Sequence, residues 1–79
     1  MVIDLAHIRT TAGVTQVQLA ERLGVGQSQV SRTEHRTDIH LSTLISYLAA
    51  LGVRAELTVT VPGGKILNQL LTAPREDSQ

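Results

Sequence analysis

Cysteine, tryptophan and phenylalanine are absent from this chain of 79 residues, and Tyr47 is its one Phe, Trp or Tyr residue. The absence of cysteine excludes disulfides, thiolate metal sites and cysteine nucleophiles. The core must therefore be built mainly from Leu, Val, Ile and Ala, in one small domain. No apolar run is long enough to span a bilayer and no signal peptide is evident, so we expect a cytoplasmic protein without a membrane partner.

The sequence also lacks an excess of charge, because seven Lys and Arg residues balance seven Asp and Glu residues. A net charge of zero argues mildly against a nucleic-acid partner, although a neutral protein can still carry one basic face. Gly-rich phosphate loops, metal-ligand spacings and credible nucleophile–base pairs are missing as well. We therefore predict no enzymatic activity, no catalytic residue, no cofactor and no metal site, and His35 and His40 are not interpreted as metal ligands.

What the sequence does contain is a pair of short helical patterns joined by a tight turn, in residues 15–34. Thr15 and Gln18 have the spacing of a capping box, and Gly24 is typical of a helix end. In the second pattern Val30 is the one clear core residue, and the others are mostly Gln, Ser and Arg. Such side chains suit the donor and acceptor edges of DNA bases. A polar helix held outward on an apolar scaffold is typical of a helix-turn-helix that enters the major groove.

Two further helices are predicted around this pair. Residues 1–12 have helical periodicity and a candidate N-cap in Asp4. Residues 42–51 form the last predicted helix, with Ser42 as its N-cap and an apolar stripe on one face. We expect Tyr47 to pack against this scaffold with its hydroxyl group in water.

The period changes after the last helix. Residues 53–61 alternate polar and apolar side chains, which predicts a half-buried strand, and residues 62–64 (Pro-Gly-Gly) predict a turn. Residues 65–71 fit either a second strand or a short helix. An isolated hairpin is barely stable and exposes its edges, so we predict that two copies pair across a twofold axis. The alternative is a strand that caps its own domain. The predicted dimer interface consists of Leu57, Val59, Val61 and Ile66.

A set of residues at fixed spacings runs through the helical part of the chain: Arg9, Thr15-Gln16, Leu19-Ala20, Gly24-Val25, Ser28, Val30-Ser31-Arg32, Glu34, Leu44, Leu48 and Ala50-Leu51-Gly52. With these residues the chain resembles the XRE, or Cro/CI, type of helix-turn-helix over roughly residues 5–53. The stretch GVGQSQV is similar to the start of a lambdoid repressor's recognition helix. Thr33 departs from the family, where a larger apolar residue is common, so we expect a slightly underfilled core there. His35-Arg36 replace the common Asn-Gly, so the helix should end differently.

The resemblance implies roles for individual side chains. It assigns Gln27, Ser28 and Arg32 to base reading, and it implies a partly buried ion pair between Arg9 and Glu34.

The resemblance also implies that Gln16, at the start of the preceding helix, braces Gln27 and contacts phosphate. The DNA-backbone contacts that we predict are made by Thr15, Gln16, Gln29, Ser31, Arg36 and Thr37.

The predicted architecture is mainly α, with a compact four-helix DNA-binding domain in residues 1–52, a β-strand or hairpin for dimerisation in residues 53–72, and a flexible tail in residues 73–79. The predicted function is sequence-specific regulation of transcription, as a repressor, by a homodimer bound to palindromic double-stranded DNA. A helical domain followed by a β-segment also resembles HigA- and HipB-type antitoxins. The alternative is therefore an antitoxin whose main task is to neutralise a toxin protein.

Overall fold

The computed structural model describes residues 3–74, which form four helices followed by a two-stranded antiparallel hairpin. The mainly helical prediction is confirmed, and residues 65–71 contribute to a strand rather than to a helix. The two residues that precede this range, and most of the predicted flexible tail, lie outside the described residues. The elements are α1 (Leu5–Thr11), α2 (Gln16–Leu23), α3 (Gln27–His35), α4 (Leu41–Leu51), β1 (Ala55–Thr60) and β2 (Ile66–Thr72).

The helix caps explain where α1 and α2 begin and end. The Asp4 carboxylate accepts the backbone N–H of His7 at 3.0 Å, as its predicted capping role requires. The capping box before α2 is complete: the Thr15 hydroxyl oxygen accepts the Gln18 backbone N–H at 3.0 Å, and the Gln18 side-chain oxygen accepts the Thr15 backbone N–H at 2.9 Å. Gly24 ends α2 at φ 72°, a left-handed conformation that favours glycine.

The predicted start of α4 is wrong in detail. This helix begins at Leu41 with His40 at the cap position, and no side chain caps it. Ser42 therefore lies inside the first turn of the helix, and the extended backbone at His40 marks the position where the helix begins. A second difference was expected at the end of α3, where His35-Arg36 replace the Asn-Gly that is common in the family. The helix continues one residue past Glu34, and Arg36 follows it in an extended conformation.

The core is aliphatic and lies between the four helices, with Leu19 fully buried and Tyr47 2% exposed. Val30 joins α3 to this core and is 1% exposed. Ile45, an apolar residue of α4, is only half-buried. The buried apolar set consists of Leu5, Val14, Leu19, Ala20, Val30, Leu44, Tyr47, Leu48 and Leu51.

The hairpin is attached to the helical domain at its base. Thr72 is buried, and its hydroxyl donates to the Val53 carbonyl at 2.8 Å. The strand register shifts between Ala55 and Glu56, because Ala55 pairs with Thr72 and Glu56 pairs with Leu70. Leu71 is therefore the extra residue of a bulge on β2. The tip is closed by a hydrogen bond of 2.8 Å from the Val61 N–H to the Lys65 carbonyl.

No helix within residues 3–74 has both the length and the apolar character needed to cross a membrane.

Candidate nucleic-acid interface

The outer face of α3 presents polar side chains to solvent. Gln27, Ser28 and Arg32 are exposed, whereas Val30 in the middle of the helix is buried. Because successive residues are about 100° apart around a helix, Ser28 and Arg32 lie on the side away from Val30, and Gln27 lies at the edge of the buried side. The structure therefore leaves all three residues predicted to read bases accessible to a partner.

An ion pair ties the end of α3 to α1. Arg9 Nε donates to Glu34 Oε2 at 2.6 Å, and the two side chains are 11% and 3% exposed. The same guanidinium donates through Nη1 to the Val14 carbonyl at 2.9 Å. The structure thus places Arg9 and Glu34 in the contact that the resemblance implied, and the guanidinium also holds the chain that enters α2.

Tyr47 completes the surroundings of Glu34 from the scaffold helix α4. Its hydroxyl donates to Glu34 Oε2 at 2.5 Å, and the Leu5 carbonyl oxygen lies 3.2 Å from the same hydroxyl. The single proton goes to the carboxylate, which is the nearer and charged acceptor. The expectation that this hydroxyl lies in water is therefore wrong. No local pattern in the sequence indicates this contact, because 13 residues separate Tyr47 from Glu34.

The electrostatics follow from this geometry. Burial by itself disfavours the charged Glu34, but hydrogen bonds from Arg9, Tyr47 and Gln16 outweigh it, so the pKa of Glu34 is lowered. The hydrogen bond to Glu34 likewise raises the pKa of Arg9 against the effect of burial. Burial and the adjacent carboxylate raise the pKa of Tyr47. Glu34 is therefore a buried anion held by three donors.

The side-chain amides of Gln16 and Gln27 continue this network to the exposed face. Gln16 Nε2 donates to Glu34 Oε1 at 2.9 Å, and Gln27 Nε2 donates to Gln16 Oε1 at 3.2 Å. An ionised carboxylate can only accept, so Gln16 must turn its NH₂ group inward and its oxygen towards Gln27. Gln27 must then give one N–H to Gln16, which leaves its carbonyl oxygen and its second N–H available outward.

The residues predicted to contact the DNA backbone are less uniform. Gln16 and Ser31 are half-buried, and Thr15 and Arg36 are exposed. Thr15 uses its oxygen as the acceptor in the capping box but keeps its own O–H proton for another acceptor. Thr37 is exposed in the loop after α3.

A basic groove lies at the C-terminal end of α3. Arg32, His35 and Arg36 line it together with Gln29 and Thr33. His35 was not among the predicted interface residues; in the sequence it was considered as a metal ligand, which was rejected, and as part of the changed helix end. Its Nδ1 lies 2.7 Å from the Ser31 carbonyl oxygen, which fixes the ring at the groove. A histidine four residues after a serine is too common a pattern to have indicated this position.

The hairpin carries two apolar surfaces rather than one. Leu57 and Val59 are 49% and 39% exposed, and the register pairs Val59 with Leu67, so these three share a face. Ile66 pairs with Thr60 and therefore lies on the other face, together with Leu70. The structure does not bring Ile66 together with Leu57 and Val59. The correct neighbour, Leu67, could be identified only once the register was known.

Val61, the remaining predicted interface residue, is half-buried at the end of β1. Across the described part of the chain, no group of three or more His, Cys, Asp or Glu residues is arranged to hold a metal ion.

Comparisons with known proteins agree with this geometry. The family model described as HTH_3, helix-turn-helix, matches residues 5–57. The solved structures that match include "DNA bound antitoxin HigA3", with 30% sequence identity and a TM-score of 0.70 over 96% of this chain and 97% of that chain. None of the curated proteins matches. The match over residues 5–57 covers most of the chain, so this protein belongs to the XRE-type helix-turn-helix family.

Proposed function

We propose that this protein is a sequence-specific DNA-binding regulator of transcription, with α3 as the recognition helix. The observation that carries the proposal is the exposed polar face of α3, anchored by Val30 and organised by the Gln27–Gln16–Glu34 network. The similar solved structure is an antitoxin bound to DNA, and the similarity extends over nearly the whole of both chains. Family and neighbour both favour a regulator over an enzyme.

Base reading is assigned to Gln27, Ser28 and Arg32. The outward carbonyl oxygen and N–H of Gln27 match the N6–H donor and N7 acceptor of adenine, and Arg32 can donate twice to guanine. Ser28 can donate or accept, so it accommodates either kind of base edge. Because the Gln27 amide is already oriented by Gln16, little rotational freedom is lost on binding.

Backbone contacts are assigned to Thr15, Gln16, Gln29, Ser31, Arg36 and Thr37. The start of α2 offers backbone N–H groups and the Thr15 hydroxyl to one phosphate. The groove with Arg32, His35 and Arg36 offers positive charge to another. A chain of zero net charge can therefore present positive charge to DNA. The negative charge of Glu34 on the same helix does not oppose this, because it is buried and paired with Arg9.

The finer proposal is a homodimer that represses transcription from a palindromic operator, including that of its own operon. The hairpin supports it: two exposed strand edges and an exposed apolar face are unusual in a monomer. A twofold dimer places two recognition helices about 34 Å apart, one turn of DNA. A mass measurement in solution tests the dimer, and a monomer at micromolar concentration would contradict it.

The test of DNA binding has two stages. Bound sites are first selected from random DNA, and the affinity of the Arg32→Ala variant for the selected site is then measured. Loss of Arg32 should weaken specific binding by about 1–3 kcal/mol and relax base choice at one position. The matched control is Arg54→Ala, which removes the same charge from the hairpin and should leave base choice unchanged. Equal binding of the unmodified protein to selected and scrambled DNA would refute the proposal.

A second candidate function is neutralisation of a toxin protein, and it is favoured by the antitoxin identity of the similar structure. The two functions make different demands on the chain. If toxin binding dominates, a Gln27→Ala, Ser28→Ala double variant should lose DNA binding and keep neutralisation. Co-expression of each adjacent gene with the unmodified chain and with this variant, scored by growth, distinguishes them. Growth inhibition that neither form relieves would argue against the antitoxin function for that gene pair.

A further inference from the structure

A cavity of about 220 Å³, partly open to solvent, lies behind the recognition helix, between α3, the turn that precedes it and the first half of α4. Leu23, Val25, Val30 and Tyr47 form the apolar part of its lining. Its position agrees with the underfilled core that Thr33 predicts, because the short Thr33 side chain lies in the wall. The Thr33 hydroxyl is directed to the Gln29 carbonyl at 2.9 Å, so it does not fill the space.

The rest of the cavity lining is polar but uncharged. Ser42 and Ser46 contribute hydroxyl groups from successive turns of α4, and Gln29 contributes an amide from α3. No hydrogen bond joins the hydroxyl of Ser42 or Ser46 to another residue within 3–74. Those hydroxyls are therefore available to a bound molecule, while no charged side chain lines the cavity.

We propose that this cavity is a binding site for a small neutral molecule with a ring-sized apolar part and one or two hydrogen-bonding groups. The size supports this class, because an enclosed cavity of about 150 Å³ in another protein holds benzene, and this one is larger and partly open to solvent. The lining disfavours ions, because a charge placed there would lose water without gaining a charged partner. The lining offers an amphiphilic molecule both apolar contacts and hydroxyl groups.

The location gives such a ligand access to the DNA-binding helix. Gln29 lines both the cavity and the basic groove of Arg32 and Arg36. A molecule that accepts from the Gln29 amide removes that donor from the groove. The site thus joins α4 to the helix that carries Gln27, and none of Gln27, Ser28 and Arg32 lines it.

The test uses the full chain labelled with ¹⁵N and benzyl alcohol as the neutral probe, with benzoate and benzylamine as charged counterparts of similar size. We expect saturable shifts of the amide signals of Gln29, Thr33, Ser42 and Ser46 with benzyl alcohol. The charged probes should bind at least tenfold more weakly. Absence of saturable shifts with benzyl alcohol, or equal binding of all three probes, would overturn the proposal.

Variants that fill the cavity give the decisive comparison. Thr33→Leu fills it from α3, and Ser46→Leu fills it from α4, and each should weaken benzyl alcohol binding at least tenfold. Ala49→Leu is the matched control, because Ala49 is exposed on the same helix and does not line the cavity. Should Thr33→Leu fail to fold, Ser46→Leu decides alone, since Ser46 is exposed. Unchanged binding in a folded filling variant would refute the site.

Discussion

The helical domain and the hairpin differ in where their apolar side chains go. In the helical domain Leu19, Val30 and Tyr47 are almost completely buried, and the outer face of α3 is polar. In the hairpin Leu57, Ile66 and Leu70 are 49–62% exposed, and no second layer covers either face near the tip. The first region has its own buried core, whereas the second leaves its large apolar side chains exposed. Stability and association should therefore respond to changes in different regions.

The largest effect should come from breaking the buried ion pair of the helical domain. Arg9→Ala leaves Glu34 charged and buried, so we expect a loss of about 3–5 kcal/mol in the free energy of unfolding, measured with urea. The control is Arg54→Ala, which breaks the exposed pair with Glu56 on the hairpin. Exposed pairs contribute about 0–1 kcal/mol, so similar losses in the two variants would contradict the contrast between the regions.

The next effect concerns a single hydrogen bond. Tyr47→Phe keeps the ring in the core but removes the hydroxyl that donates to Glu34. Hydrogen bonds to charged groups contribute about 1.5–3 kcal/mol, and we expect a loss of this size in urea unfolding. Thr58→Val in the hairpin is the comparison, because it removes an exposed side-chain hydrogen bond of 3.0 Å to Asn68. Its expected effect is about 0.5 kcal/mol or less, and a larger loss there would reverse the ranking.

A smaller effect distinguishes the two faces of the hairpin. If the face with Leu57, Val59 and Leu67 is buried between two copies, Leu57→Lys should raise the dissociation constant of the dimer at least tenfold. Ile66→Lys places the same charge on the opposite face and should change it less. Sedimentation equilibrium measures both constants. A stronger effect of Ile66→Lys would assign the interface to the other face.

The smallest predicted effect is a dependence on pH. The pKa of Glu34 is lowered in the folded state, chiefly because the hydrogen bonds from Arg9 and Tyr47 outweigh burial. Its stabilising contribution is therefore complete above the usual glutamate pKa and is lost as pH falls from there through the folded value. Urea unfolding across this acidic range should show a steeper loss for the unmodified chain than for Glu34→Gln. Identical slopes would show that Glu34 does not contribute to acid sensitivity.

The sequence was most informative where the signal is local. The capping box of Thr15 and Gln18, the glycine that ends α2 and the alternation in β1 all depend on residues a few positions apart, and each predicted its element. These features are set by backbone hydrogen bonds and side-chain periodicity, which the order of residues specifies directly.

Contacts between distant residues were harder to predict. The turn between β1 and β2 decides which residues of β2 lie opposite Leu57, and no composition or period indicates that register, so the sequence alone does not separate Ile66 from the face of Leu57. The bond from Tyr47 to Glu34 likewise depends on how α4 crosses α3, which the aliphatic pattern of α4 does not specify. The contact between Arg9 and Glu34 could be anticipated only through the family resemblance, because 25 residues separate the two.

The network around Glu34 has an evolutionary consequence. Gln27 is bonded to Gln16 and through it to the core, whereas Ser28 and Arg32 make no side-chain hydrogen bond to another residue within 3–74. Replacement of Gln27 disturbs a chain of bonds that ends at a buried charge, but replacement of the other two disturbs none. With the proposed base-reading roles, we expect new operators to be acquired through substitutions at positions 28 and 32, and position 27 to change only together with its supporting residues.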